Sequence, residues 1–252
     1  MNFNCLIICL AVTAANFGQS YGLQARSRQR ATGGRADDKG CSKREFDRRM
    51  SNVFGQFGPE DYSFPKTRED LKEYCRHDAR ELSKKYSDDC LEGTSQTLLT
   101  LGNYNFDKVN KQYCSKSGKK KDAFVSWGSC GNSARPKLGV CWTKMISVLA
   151  VANKVRNDKS KVPIVCCNYY EWVRCTVSAL KEKASTTCSK EAIDGYESHI
   201  RKSTVESMNL ICSKYEDDSA KCASLMTELP NTKPKKLYKT PYLYIFEIFK
   251  NL

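Results

Sequence analysis

Histidine is almost missing from this chain: its 252 residues include two, His77 and His199. A three-histidine zinc site is therefore excluded, and a histidine-based catalytic dyad would have to use one of these two. No Cys-x-x-Cys pair occurs, which argues against a thioredoxin-type redox centre and, with so little histidine, against zinc. The sequence also lacks a Gly-x-Ser-x-Gly elbow, a phosphate-binding loop, an EF-hand loop, a His-Glu-x-x-His pair and any Asn-x-Ser/Thr sequon. Its apolar runs fall well short of the roughly 20 residues that span a bilayer. No catalytic, cofactor-binding or metal-ligating residue is expected.

Cysteine and positive charge are abundant. There are 14 Cys, and 42 Lys+Arg stand against 28 Asp+Glu, a formal net charge of +14. Residues 5–15 (CLIICLAVTAA) form an apolar run that leads into small and polar residues ending in Ser20-Tyr21-Gly22. That length suits the core of a secretory signal peptide, although Lys and Arg are missing ahead of it; the leader is expected to be 1–22, cleaved after Gly22. Cys5 and Cys9 leave with it. Twelve remain: Cys41, Cys75, Cys90, Cys114, Cys130, Cys141, Cys166, Cys167, Cys175, Cys188, Cys212 and Cys222. An even dozen in an exported chain predicts up to six disulfides and an extracellular location.

Connectivity stays open, but helix geometry prunes it. On one straight helix Cys166 or Cys167 would lie about 12 to 14 Å from Cys175, beyond the reach of a bridge, so each must bond elsewhere. The same holds for Cys75 and Cys90 if an unbroken helix carries both. The spacings also repeat: 33 residues separate Cys41 from Cys75 and again Cys141 from Cys175, and 23 separate Cys90 from Cys114 and again Cys188 from Cys212. Either the cysteine-rich region 41–229 is a duplication with similar helical halves at 41–140 and 141–229, or the match is coincidence.

Apolar periodicity indicates helices. From 136 to 155, Leu138, Cys141, Trp142, Met145, Val148, Leu149, Ala152 and Val155 recur at steps of three and four, with Pro136 suited to a first turn. Thr67 with Asp70 three residues on reads as a capping box opening a helix with Leu71, Cys75, Ala79, Leu82 and Tyr86 on one side. Further helices are expected at 43–54, 106–114, 163–183, 189–215 and 219–229, and loops at 55–65, 115–122, 131–135 and 157–161. Strict alternation is nearly absent outside the C-terminus. The class is all-α, a disulfide-stabilised helical bundle.

The excess charge is concentrated at the ends, net +5 over 23–49 and net +4 over 230–252. The arm 23–40 has little to bury; it reads as a solvated tail, a contact for anionic surfaces, or a processed pro-segment. Lys119, Lys120 and Lys121 add a basic patch. The tail 230–252 contains PYLYIFEIF, strongly apolar but too short to cross a membrane. It is either an element packed on the core or a tail that contacts a membrane or partner.

Cys75-Arg76-His77-Asp78 is superficially similar to the Cys-x-x-His-Asp helix of secreted phospholipases A2. The spacing is one residue short and no glycine-rich calcium loop precedes it, so His77 and Asp78 are read as surface charges. His199 has no evident nucleophile beside it and is read as partly buried or solvated.

The stretch Val162-Pro163-Ile164-Val165-Cys166-Cys167-Asn168-Tyr169-Tyr170, with Cys175, Cys188, Ile211-Cys212-Ser213-Lys214-Tyr215 and Cys222 behind it, resembles a group of secreted cysteine-rich helical proteins. These are uncharacterised arthropod proteins related to a nematode domain of unknown function. The resemblance covers 141–222, under half of the chain. It implies an extracellular helical module in which Cys166, Cys167, Cys175, Cys188, Cys212 and Cys222 are framework positions, with no assigned catalysis.

The expected function is that of a secreted, non-enzymatic binding protein. Trp142, Met145 and Leu149, with Tyr169, Tyr170 and Trp172, are candidate linings of a site for a small apolar ligand, or else plain core. An apolar cavity above about 300 Å³ would favour the first and a filled core the second. One alternative is a basic protein that associates with anionic glycans or membranes; another is a secreted hydrolase of unrecognised type. Nucleic acid is not an expected partner for an exported chain.

Overall fold

The computed structural model describes residues 40–54, 63–76, 79–114, 118–213, 215, 219–227, 229–230, 234 and 237–250. The expected leader 1–22, the basic arm through residue 39, His77 and Asp78 lie outside these, as do parts of the expected loops and of the tail. Among the described residues there are nine helices and no strand: α1 (Lys43–Phe54), α2 (Arg68–Tyr74), α3 (Ala79–Cys90), α4 (Gly93–Cys114), α5 (Gly118–Ala152), α6 (Asp158–Lys181), α7 (Lys190–Cys212), α8 (Ser219–Met226) and α9 (Tyr242–Lys250).

Local chemistry sets several boundaries. Thr67 caps α2 with the expected box, its Oγ1 accepting from Asp70 N (3.0 Å) while Asp70 Oδ2 accepts from Thr67 N (3.1 Å). That helix ends at Tyr74, so the single run expected through Tyr86 is two helices, α2 and α3. Ser189 Oγ accepts from Ala192 N at the start of α7. Asn157 Oδ1 accepts from Lys159 N, so α6 begins at Asp158, inside the stretch expected as a loop over 157–161.

Two other stretches expected as loops are helical over their described residues. α5 begins at Gly118, within 115–122, and runs unbroken through 131–135 and Pro136. The small residues there let another segment come close. A Cβ on Gly128 or Gly131 would collide with the Pro65 carbonyl or the Phe64 ring. Asn132 then holds the Phe64 backbone at both ends, accepting from its N (2.8 Å) and donating to its O (3.1 Å). Pro136 is exposed and costs the helix one hydrogen bond, which 35 residues packed along their length accommodate. α4 likewise starts thirteen residues ahead of the helix expected at Phe106.

α4, α5, α6 and α7 make the central bundle, α5 lying along α6 and α4 along α7, with α7 also touching α5 and α6. The main core fills it. A second core of Phe46, Met50, Tyr86, Leu99, Leu243 and Phe246 joins α1, α3 and α4 to α9. The aromatic tail is therefore an element packed on the core, with Leu243, Tyr244, Phe246, Ile248 and Phe249 buried. Buried Asp47 ties down its approach, accepting from Lys239 N (2.8 Å), Thr240 N (2.9 Å) and Thr240 Oγ1 (2.8 Å).

Six disulfides lace the helices: Cys41–Cys90, Cys75–Cys114, Cys130–Cys188, Cys141–Cys175, Cys166–Cys212 and Cys167–Cys222. Cys166, Cys167 and Cys175 all bond outside α6, as helix geometry requires. The bridges span 34 to 58 positions of chain, for which loop-closure entropy gives about 4 kcal/mol apiece. Pairing does not follow the repeated spacings. Cys41–Cys90 and Cys75–Cys114 have no counterparts in the second half, where Cys141 bonds Cys175, and Cys130–Cys188 joins one half to the other.

Candidate functional site

One stretch of the bundle is not filled. A cavity of about 160 Å³ lies where α4, α5, α6, α7 and α9 converge. α5 supplies Trp142, Met145 and Leu149, one buried stripe at steps of three and four. α6 adds Val165, Asn168, Tyr169 and Trp172, with the Trp142 and Trp172 rings edge to face at 5.8 Å. α4 contributes Leu98, Gly102 and Phe106, and Pro241, Tyr242, Ile245 and Phe246 close the wall from α9. The longest stripe comes from α7, where His199, Ile200, Ser203, Thr204, Ser207, Met208 and Ile211 share one face.

Five of the six aromatic and apolar residues expected as lining are in this wall. Tyr170 is not; it packs with Cys166 and Cys212 in a separate cluster. No charged side chain lines the cavity among the described residues. Most of its polar groups are committed within the protein. Trp142 Nε1 donates to Lys239 O (2.9 Å) and Asn168 Nδ2 to Met145 O (3.0 Å). Ser203 Oγ donates to His199 O, Thr204 Oγ1 to Ile200 O, and Tyr169 Oη shares a 2.6 Å bond with Thr204 Oγ1. Burial pushes the Tyr169 hydroxyl above the usual phenol range, so it stays protonated.

His199 is only 4% exposed, and its ring meets Tyr113, Phe124 and Trp127 at centroid distances of 5.3, 5.4 and 6.1 Å. Burial among these rings lowers its pKa to about 4, so the imidazole is neutral at pH 7. Its Nδ1 bonds neither Ser203 nor Ser207 and has no hydrogen-bond partner among the described residues. Sequence reasoning missed the contributions of α4, α7 and α9. The stripe on α7 was legible, but nothing local says that it faces Trp142 and Leu149 across a gap.

A second cleft, about 630 Å³, lies beside the Cys75–Cys114 bridge, with Arg68, Lys72, Arg76 and Lys121 in its wall. It is where an anion would be sought. Yet Arg68 is held by Asp122 through two bonds (2.9 and 3.0 Å), Arg76 pairs with Glu73 at 2.7 Å, and Glu69 joins the lining. Four cations against three acids leave little net field, and exposed pairs of this kind are screened. Lys119 and Lys120 stand exposed on the first turn of α5, where Lys120 Nζ donates to Gln112 Oε1. Among the described residues no group of three or more His, Cys, Asp or Glu could hold a metal, and no helix is long and apolar enough to cross a membrane.

Comparisons with protein-family models, curated proteins and solved structures give no match to this chain.

Proposed function

We propose that this chain is a secreted, non-enzymatic binding protein whose apolar cavity holds one small uncharged molecule. The observation that carries this is a charge-free apolar space of about 160 Å³ walled by α4, α5, α6, α7 and α9. Its wall is apolar and serves water poorly, so a guest that covers Trp142, Leu149 and Ile245 is favoured by the hydrophobic effect. The volume falls below the roughly 300 Å³ of sites for larger ligands, and a void near 150 Å³ takes a single benzene-sized molecule. The ligand is accordingly about one ring in size. An extracellular setting is supported by the leader expected at 1–22, by the dozen bridged cysteines and by the resemblance over 141–222.

Titration of the oxidised full chain with toluene, followed by calorimetry and thermal melting, tests the proposal. Saturable one-to-one binding with a rise in Tm is expected. Ile245→Trp, which fills the space from the α9 side, should abolish binding and keep the helical spectrum. Absence of saturable uptake in the wild type would remove the reading.

A further inference from the structure

If a hydrocarbon were all that had to be held, every polar group in the wall would be committed elsewhere or replaced by an apolar one. Trp142, Asn168, Tyr169, Ser203 and Thr204 meet that condition. Two residues do not. Ser207 Oγ and His199 Nδ1 are buried, and neither has a hydrogen-bond partner among the described residues. Both line the cavity, on one face of α7 and eight positions apart. α4 leaves room there, because Gly102 presents only a hydrogen and even a Cβ would stand 3.8 Å from Ser207 Oγ.

A buried hydroxyl and a buried imidazole nitrogen without partners are costs that the fold carries in the empty state. A guest that offers one polar atom removes part of that cost, whereas a hydrocarbon leaves it standing. The absence of charged groups from the wall excludes carboxylates and ammonium ions. Resting on the cavity reading above, we infer that the ligand is a one-ring neutral alcohol, phenol or ketone, and that Ser207 recognises its single polar group. Ser207 donates to or accepts from that oxygen, while His199, about 12 Å of helix rise away, is out of reach of the same atom.

Phenol and toluene differ by a hydroxyl in place of a methyl on the same ring, and they separate the two readings. Each is titrated calorimetrically at pH 7 into the oxidised full chain and into Ser207→Ala. The phenol-to-toluene affinity ratio is expected to fall about tenfold in Ser207→Ala, the loss of one hydrogen bond. Unliganded Ser207→Ala should melt no lower than wild type, because the group removed has no partner to lose. A ratio unchanged in Ser207→Ala overturns the inference and leaves the cavity reading intact, and so does binding of toluene without phenol. Binding of neither compound overturns both.

Discussion

Gly195 on α7 presses against the Trp127 indole so closely that a Cβ there would collide with the ring, whereas Gly102, facing the same helix from α4 near Ser207, has open contact at 3.8 Å. Toward the N-terminal end of α7 the bundle is packed to exclusion, with Gly128 and Gly131 taking Pro65 and Phe64 in the same manner. Toward the C-terminal end, between Ile200 and Ile211, the same helix borders a void. One chain thus closes one end of its bundle tightly and leaves the other open. The opening is a local property of particular side chains and not a general looseness of the core, which is why it is read as a site.

The largest effect is expected where there is no room. Alanine in place of glycine inside a helix is ordinarily worth up to about 1 kcal/mol in favour of folding. At Gly195 or Gly128 the sign should reverse, with a loss of about 4 kcal/mol in urea unfolding, because a ring or a backbone carbonyl has to move. Stability equal to wild type in both variants would mean that this end also has slack, and the comparison would lose its meaning.

His199 stands at the boundary between the two regions, against the aromatic cluster on one side and the cavity on the other. Its pKa is lowered to about 4 from 6.5 by burial. Below about pH 6.5 the unfolded chain takes up a proton that the folded chain refuses, so stability falls as pH drops and levels off below about pH 4. The loss amounts to about 3 kcal/mol. Urea unfolding of wild type and His199→Phe at a series of pH values checks it: the two curves should run parallel above pH 7 and diverge only below 6.5.

Asp47 offers a smaller lever on the open end. Asp47→Ala leaves Lys239 N, Thr240 N and Thr240 Oγ1 without their acceptor, a loss of about 2 kcal/mol. Because α9 forms one wall of the cavity, hydrogen exchange should accelerate in α9 and guest exchange should quicken with it, while α5 and α6 stay protected. Equal acceleration across all helices would show that α9 has no separate mobility.

Much of the tightly packed architecture was legible in the sequence, since its signals are local. Thr67 and Asp70 specify a cap within four residues, the stripe from Leu138 to Leu149 specifies a buried face, and helix rise alone bars a bridge between Cys166 or Cys167 and Cys175. The misreadings share one cause. Gly131 to Pro136 has the composition of a turn, but these residues serve the approach of Phe64, a partner 67 positions away from Gly131. The same non-local logic hid the cavity. Trp142, Met145, Leu149, Tyr169 and Trp172 were nameable as lining, but the opposing wall from α4 and α9 depends on contacts across the whole chain.

Gly102→Ala gives the smallest shift and the sharpest reading of the open end. The added methyl meets Ser207 Oγ at ordinary contact distance, so the helix-propensity gain should survive and raise stability by about 1 kcal/mol or less. The same methyl enters the ligand space, and toluene affinity should fall severalfold even as the empty protein becomes more stable. A chain that gains stability and loses affinity from one methyl group is holding that volume open for a guest. If affinity instead follows stability, the space beside Ser207 lies outside the region that the ligand occupies, and the site narrows to its α5, α6 and α9 walls.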